Sequence, residues 1–269
     1  MSNHHPSYAP DDPVAVHCYR TALQTLAAAD IEFLVGGAYS FARYTTIPRH
    51  TKDLDLFLRE EDRDAALTAL SEVGYRTEVT YSHWLAKARR GDHFIDLIHS
   101  SGNGVAKVDE GWFDHAVDDV LLGERVRLCP AEESIWSKAF VMERDRFDGA
   151  DIAHVFRELG DHLDWRRLLD RFGSHWRVLY CHMILFGYVY PGERDRLPAW
   201  VAKEMAARVA AEVETPDDEQ WLCRGTMLSA TQYLPDVEQW GYRDSRLPPF
   251  GTMAAAQATD WTDGVLAGR

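Results

Sequence analysis

Two aspartates one residue apart, Asp53 and Asp55, lie in KDLDLFLR, where they alternate with Leu54, Leu56 and Leu58. Alternate side chains of a strand share a face, so both carboxylates point one way, about 7 Å apart along the backbone, and the leucines point the other. Two like charges held above an apolar layer are costly unless a cation neutralises them. Magnesium takes a few carboxylates plus phosphate oxygens, and two such ions roughly 4 Å apart activate an attacking hydroxyl and stabilise a leaving pyrophosphate. The pattern suits phosphoryl transfer from a nucleoside triphosphate.

Upstream, Gly36 and Gly37 stand between a strand-like run and a helix-like one. Without Cβ atoms they let backbone amides approach a phosphate, and a helix N-terminus adds favourable partial charge. Ser40 is placed to add a hydroxyl donor. Downstream, Asp96 is a carboxylate inside the otherwise apolar HFIDLIH. It is expected to complete the metal site and to act as base toward an acceptor hydroxyl; Asp92 is the alternative.

These residues need a framework. Val14 to Ala29 has an apolar helical stripe, IEFLV at 31–35 reads as a buried strand, and AYSFARY as a short helix. Residues 52–59 form the second strand, and EEDRDAALTALSEVG an amphipathic helix closed by Gly74. YRTEVT, HWLAKAR and HFIDLIH follow as strands, with the Gly91-Asp92 turn between the last two, then ERVRLCP and a helix from Ala131. The class is α/β (α+β): a small mixed sheet with flanking helices, followed by a helical C-terminal domain. The boundaries read as a flexible 1–13, a core at 14–147 and a helical substrate or partner domain at 148–269. From Thr215 the periodicity is weak.

The run FLVGGAYSFARYTTIPRHTKDLDLFL resembles the DNA polymerase β-like nucleotidyltransferase superfamily, in which a Gly-Gly or Gly-Ser turn precedes a D-x-D strand and a third carboxylate on a later strand. Fifteen residues separate Gly37 from Asp53, a little more than that pattern usually has. R-H-T-K-D-L-D-L at 49–56 resembles the bacterial minimal and abortive-infection-toxin branch, which implies phosphate contacts for Arg49 and Thr51. Lys138 and RDRFDGADI at 144–152 resemble the family's helical segment near the triphosphate, with Asp148 and Asp151 otherwise reading as helix N-terminal residues. The resemblance covers roughly residues 31–157 and implies a Mg2+-dependent enzyme that moves NMP from an NTP to a hydroxyl and releases pyrophosphate. The acceptor stays open among a tRNA end, a protein and a small molecule. The alternative is a catalytically silent nucleotide-binding relative with a protein partner, as in a toxin-antitoxin pair.

Composition narrows the field. The formal charge of −14 disfavours broad attraction to nucleic acid or anionic lipid, although a local stripe of Lys87, Arg89 and Arg90 offers phosphate contacts. No apolar stretch has the length of a membrane span, and the polar start lacks a secretion signal, so the expected location is the cytoplasm. Cys18, Cys129, Cys181 and Cys223 form no CxxC pair, and no His or Cys spacing matches a zinc site. The aromatic run from Trp176 to Tyr190 has helical spacing and reads as core.

Overall fold

Asp12 starts the first helix. Its carboxylate accepts the Val14 amide at 2.9 Å, and Pro13 sits where a missing N–H costs nothing. In the computed structural model, which describes residues 12–49, 51, 53–213 and 221–268, this helix is α1 (Pro13–Ala28). Most of the tail expected at 1–13 lies outside the described residues, as do His50 and Lys52 of the R-H-T-K-D-L-D-L motif.

The chain divides into two compact units, Met1–Pro130 and Ala131–Arg269. In the first, α1 is followed by β1 (Leu34–Val35), α2 (Gly37–Thr45), β2 (Asp53–Phe57), α3 (Arg63–Glu72), β3 (Arg76–Tyr81), β4 (Leu85–Arg90), β5 (His93–Ile98), α4 (Glu110–Asp114), β6 (Val117–Leu121) and β7 (Glu124–Leu128). The seven strands form one mixed sheet in the order β3-β4-β5-β2-β1-β7-β6. Strand β2 is central, antiparallel to β1 and parallel to β5.

The side of β2 facing the core is fixed by its leucines. Leu54, Leu56 and Leu58 are fully buried with Ile95 and Leu97 of β5, against Cys18, Tyr19, Ala22, Leu23 and Leu26 of α1. Each such leucine is worth about 1.5–3 kcal/mol. A slip of one residue would bury two carboxylates and expose three leucines, so the core sets the register that turns Asp53 and Asp55 to the opposite face.

Two expectations were too long and one element was unforeseen. Of 31–35, only Leu34 and Val35 are strand, because Ile31 is spent closing α1 by donating its amide to Leu26 at 3.1 Å. The second strand is Asp53–Phe57, ending two residues before the expected 59. β6 escaped notice because it is an exposed edge strand carrying Asp118 and Asp119 and has no buried alternation.

The second unit opens with α5 (Ala131–Ala139), α6 (Gly149–Leu159), α7 (Trp165–Phe172), α8 (Trp176–Val189) and α9 (Ala199–Val213), then α10 (Leu234–Glu238) and α11 (Ala255–Leu266). Phe140, Phe156, Trp165, Phe172 and Phe186 fill its interior. The aromatic run is α8, and it is core on one face only. Leu179, Met183 and Phe186 are buried, while Ile184, Leu185, Tyr188 and Val189 are exposed. At 221–268 two short strands, Leu222–Cys223 and Arg243–Asp244, pair in parallel, and buried Arg246 bonds Asp244 and Thr262. A polar network without helical or strand period organises this stretch, which is why its sequence reads as irregular. No helix among the described residues is long and apolar enough to cross a membrane.

Candidate active site

β2 and β5 run parallel, with Asp55 directly opposite Asp96. Adding Asp53 from the same face of β2, the three carboxylates each offer an oxygen within 4.8 Å of the others. The residues singled out for ligation are therefore brought together. Asp92, the alternative to Asp96, lies exposed in the β4–β5 turn and is not one of the three.

The two glycines are required by this packing. A Cβ on Gly36 would fall 2.3 Å from the Phe57 ring and 3.2 Å from Cys129 Sγ, and its amide donates to the Asp55 carbonyl at 3.0 Å. Gly37 has φ of +56°, and a Cβ there would stand 1.6 Å from Asp55 Oδ2. The N-terminus of α2 thus abuts the Asp55 carboxylate, where its partial positive charge favours an anion. Gly37→Ala combines left-handed strain with this clash. The expected result is a displaced Asp55 and a transfer rate lower by about 10²-fold. Steady-state kinetics of the purified variant checks this.

Asp53 accepts a close hydrogen bond from the Thr51 hydroxyl. Thr51 is thus turned to the carboxylate it precedes. Ser40 is buried, its amide bonded to the Gly36 carbonyl at 3.2 Å and its hydroxyl to the Gly37 carbonyl at 3.3 Å, within the first turn of α2. The Arg49 guanidinium lies 4.3 Å from the centre of the Phe41 ring. Tyr39 is buried beside the cluster, and burial first, then the charges of Asp53 and Asp55, push its hydroxyl pKa up.

Asp96 has a partner that the motif does not contain. Lys87, opposite it on β4, places Nζ 2.9 Å from Oδ1 and 3.3 Å from Oδ2. Only the Oδ2 contact has hydrogen-bond geometry, so Oδ1 is buried without a hydrogen-bond donor. Burial raises the Asp96 pKa, Lys87 opposes the rise, and Asp53 adds to it. Burial thus makes this carboxylate more basic than an exposed one, the direction wanted in a general base. The pairing was readable in advance: counting back from a two-residue Gly91-Asp92 turn sets Arg90 against His93 and therefore Lys87 against Asp96. The proposed phosphate stripe does not hold together, because Arg90 lies on the opposite face, over Tyr75, and Arg89 pairs with Glu78 at 3.7 Å.

Lys138 belongs to the second unit, where its Nζ bridges Asp148 at 3.1 Å and Asp151 at 3.0 Å. Asp148 stands at the start of α6 but makes no side-chain cap bond. Burial would raise its pKa, and Arg146 and Lys138 together hold it below the usual carboxylate value instead.

Residues 19–135, which include all three carboxylates, match the aminoglycoside-2''-adenylyltransferase family model. No curated protein matches the chain. Among solved structures, the antibiotic-resistance factor ANT(2'')-Ia in solution shares 16% identity and a TM-score of 0.42, over 76% of this chain and 97% of that one. The crystal structure of ANT(2'')-Ia with adenylyl-2''-tobramycin gives 18% and 0.39, over 66% and 99%. The lincosamide antibiotic adenylyltransferase LnuA, lincomycin-bound, gives 12% and 0.38, over 52% and 94%. With its Gly-Gly turn, D-x-D strand and third carboxylate, the segment 19–135 is similar to the aminoglycoside-2''-adenylyltransferase family.

Proposed function

We propose that the protein transfers AMP from ATP to a hydroxyl of a small polar molecule, using Mg2+ at Asp53, Asp55 and Asp96. The observation that carries this reading is the convergence of the three carboxylates, with Asp55 and Asp96 opposite each other on adjacent strands. The donor set fits a hard divalent cation: oxygen ligands only, one of them the buried Asp96 Oδ1 that accepts no hydrogen bond. When bound, magnesium neutralises the carboxylates and the developing charge on the phosphates.

The chain's own residues do the rest. Gly36 and Gly37 bring the start of α2 to the triphosphate, with Ser40, Arg49 and Thr51 as further candidate contacts. Asp96 takes the proton of the acceptor hydroxyl as its oxygen bonds to the α-phosphorus. The bond from that phosphorus to the β-phosphate bridging oxygen breaks, and pyrophosphate leaves. The choice of a small acceptor over tRNA or protein is supported by the matched family, named for adenylylation of aminoglycosides. It is also supported by the charge of −14, which suits an amine-bearing acceptor better than a polyanion.

The test incubates the protein with each α-labelled NTP, Mg2+ and a panel of aminoglycosides, other hydroxylated antibiotics, tRNA and protein. Label should move from ATP to a small hydroxylated acceptor. Label on tRNA or protein alone would sink the acceptor assignment, and no label on anything would sink the reading. A second expectation concerns stability: Mg2+ without nucleotide should raise the melting temperature, by an amount worth about 2.7 kcal/mol at a hundredfold excess over Kd. Differential scanning calorimetry with and without the cation reads it.

A further inference from the structure

We infer that Lys87 is a positioning residue for the transfer reaction: its ammonium fixes the plane of the Asp96 carboxylate, so that Asp96 meets cation and acceptor in one orientation. The inference rests on the nucleotidyl-transfer reading of the same cluster and deepens it. A carboxylate needs such a partner, because the torsion that turns it is broad and roughly two-fold. The pairing of β4 with β5 sets Lys87 directly opposite Asp96. Its Nζ lies 2.9 Å from Oδ1 and 3.3 Å from Oδ2, and it donates to Oδ2. The same Nζ is 4.7 Å from the centre of the Phe94 ring, a favourable place for a cation, and Phe94 stands opposite Asp53 on β2. Strand register, ring and carboxylate together leave the ammonium little freedom.

Only 17% of the Lys87 side chain and 14% of Asp96 are exposed, so water is a poor substitute for the ammonium once it is removed. A buried pair of this kind adds little net stability over apolar residues of the same volume. What it supplies is direction. Partners that hydrogen-bond ligating carboxylates do this in metal sites, and their loss costs about 10–100-fold in metal affinity or activity. Arg89, two residues along β4, is turned to Glu78 at 3.7 Å. Lys87 thus acts on the reaction through Asp96 and needs no contact with nucleotide or acceptor.

A double-mutant cycle of Lys87→Met and Asp96→Asn tests this. Alone, Lys87→Met should lower kcat by about 10–100-fold and leave KM for ATP within about twofold. Added to Asp96→Asn, it should change the residual rate by less than about twofold, because a residue that works through Asp96 has nothing left to act on. Urea denaturation of the same four proteins, without Mg2+ or nucleotide, reads the contact apart from turnover. Lys87→Met should lower the unfolding midpoint when Asp96 is present and leave it level in Asp96→Asn. Three results overturn this inference and leave nucleotidyl transfer standing: an equal loss of rate in both backgrounds, a rise in KM with kcat unchanged, or a midpoint shift independent of Asp96. Absence of transfer by wild type overturns both readings.

Discussion

Asp53→Asn and Asp55→Asn are each expected to lower the transfer rate by roughly a thousandfold or more while leaving the fold intact. Cation stabilisation of the reacting phosphates is worth several kcal/mol, and each 1.36 kcal/mol is tenfold in rate. Asparagine keeps the shape of the side chain but removes the charge. Folding should tolerate the change because the core depends on Leu54, Leu56 and Leu58 behind the carboxylates. Removing one of three clustered negative charges also relieves repulsion in the metal-free protein. The two effects separate experimentally: single-turnover transfer falls, and the melting temperature without Mg2+ stays level or rises. A matching loss of both would mean that the aspartates are structural.

The largest stability effect is expected far from this chemistry. Glu133, on α5, is fully buried, and its carboxylate receives Arg167 Nη1 at 2.7 and 2.6 Å and Arg171 Nε at 3.0 Å, both from α7. Neighbouring Glu132 takes the other Arg167 nitrogen at 2.5 Å and the Asp164 amide at 2.7 Å, next to the start of α7. Glu133→Ala takes from Arg167 one of its two carboxylates and from Arg171 its Glu133 ion pair, and the two arginines are only 16% and 15% exposed. Leaving buried charges uncompensated costs about 3–5 kcal/mol. Chemical denaturation should report a loss in that range, and a loss below about 1 kcal/mol would show that the network is solvated and contributes as little as a surface pair.

How much of this was legible in the sequence follows from what each feature depends on. The D-x-D strand and the Gly-Gly turn are local, so alternation and the absence of Cβ atoms predict their placement directly. Asp96 stood out because a carboxylate in an apolar strand needs a reason. Its pairing with Lys87 depends on hairpin register, and reading Lys87 as part of a phosphate-contacting stripe missed that two-residue turns fix which side chains face each other. β6 was invisible because edge strands lack a buried face, and the 221–268 region because hydrogen bonds around Asp244 and Arg246 leave no periodic trace. Ser40 reads as a phosphate donor by type and position, and Thr51 as one through the family resemblance. In the structure both hydroxyls have protein partners, Ser40 the Gly37 carbonyl and Thr51 the Asp53 carboxylate. That local satisfaction lowers their availability without altering the carboxylate cluster.

The most direct test of the central claim follows two labels at once, ATP carrying one isotope in its α-phosphate and another in its γ-phosphate, with Mg2+ and an acceptor found by screening. The α label should appear on the acceptor and the γ label in pyrophosphate, both dependent on Asp53, Asp55 and Asp96. Transfer of the γ label, or its release as orthophosphate with no labelled acceptor, would contradict nucleotidyl transfer at this site.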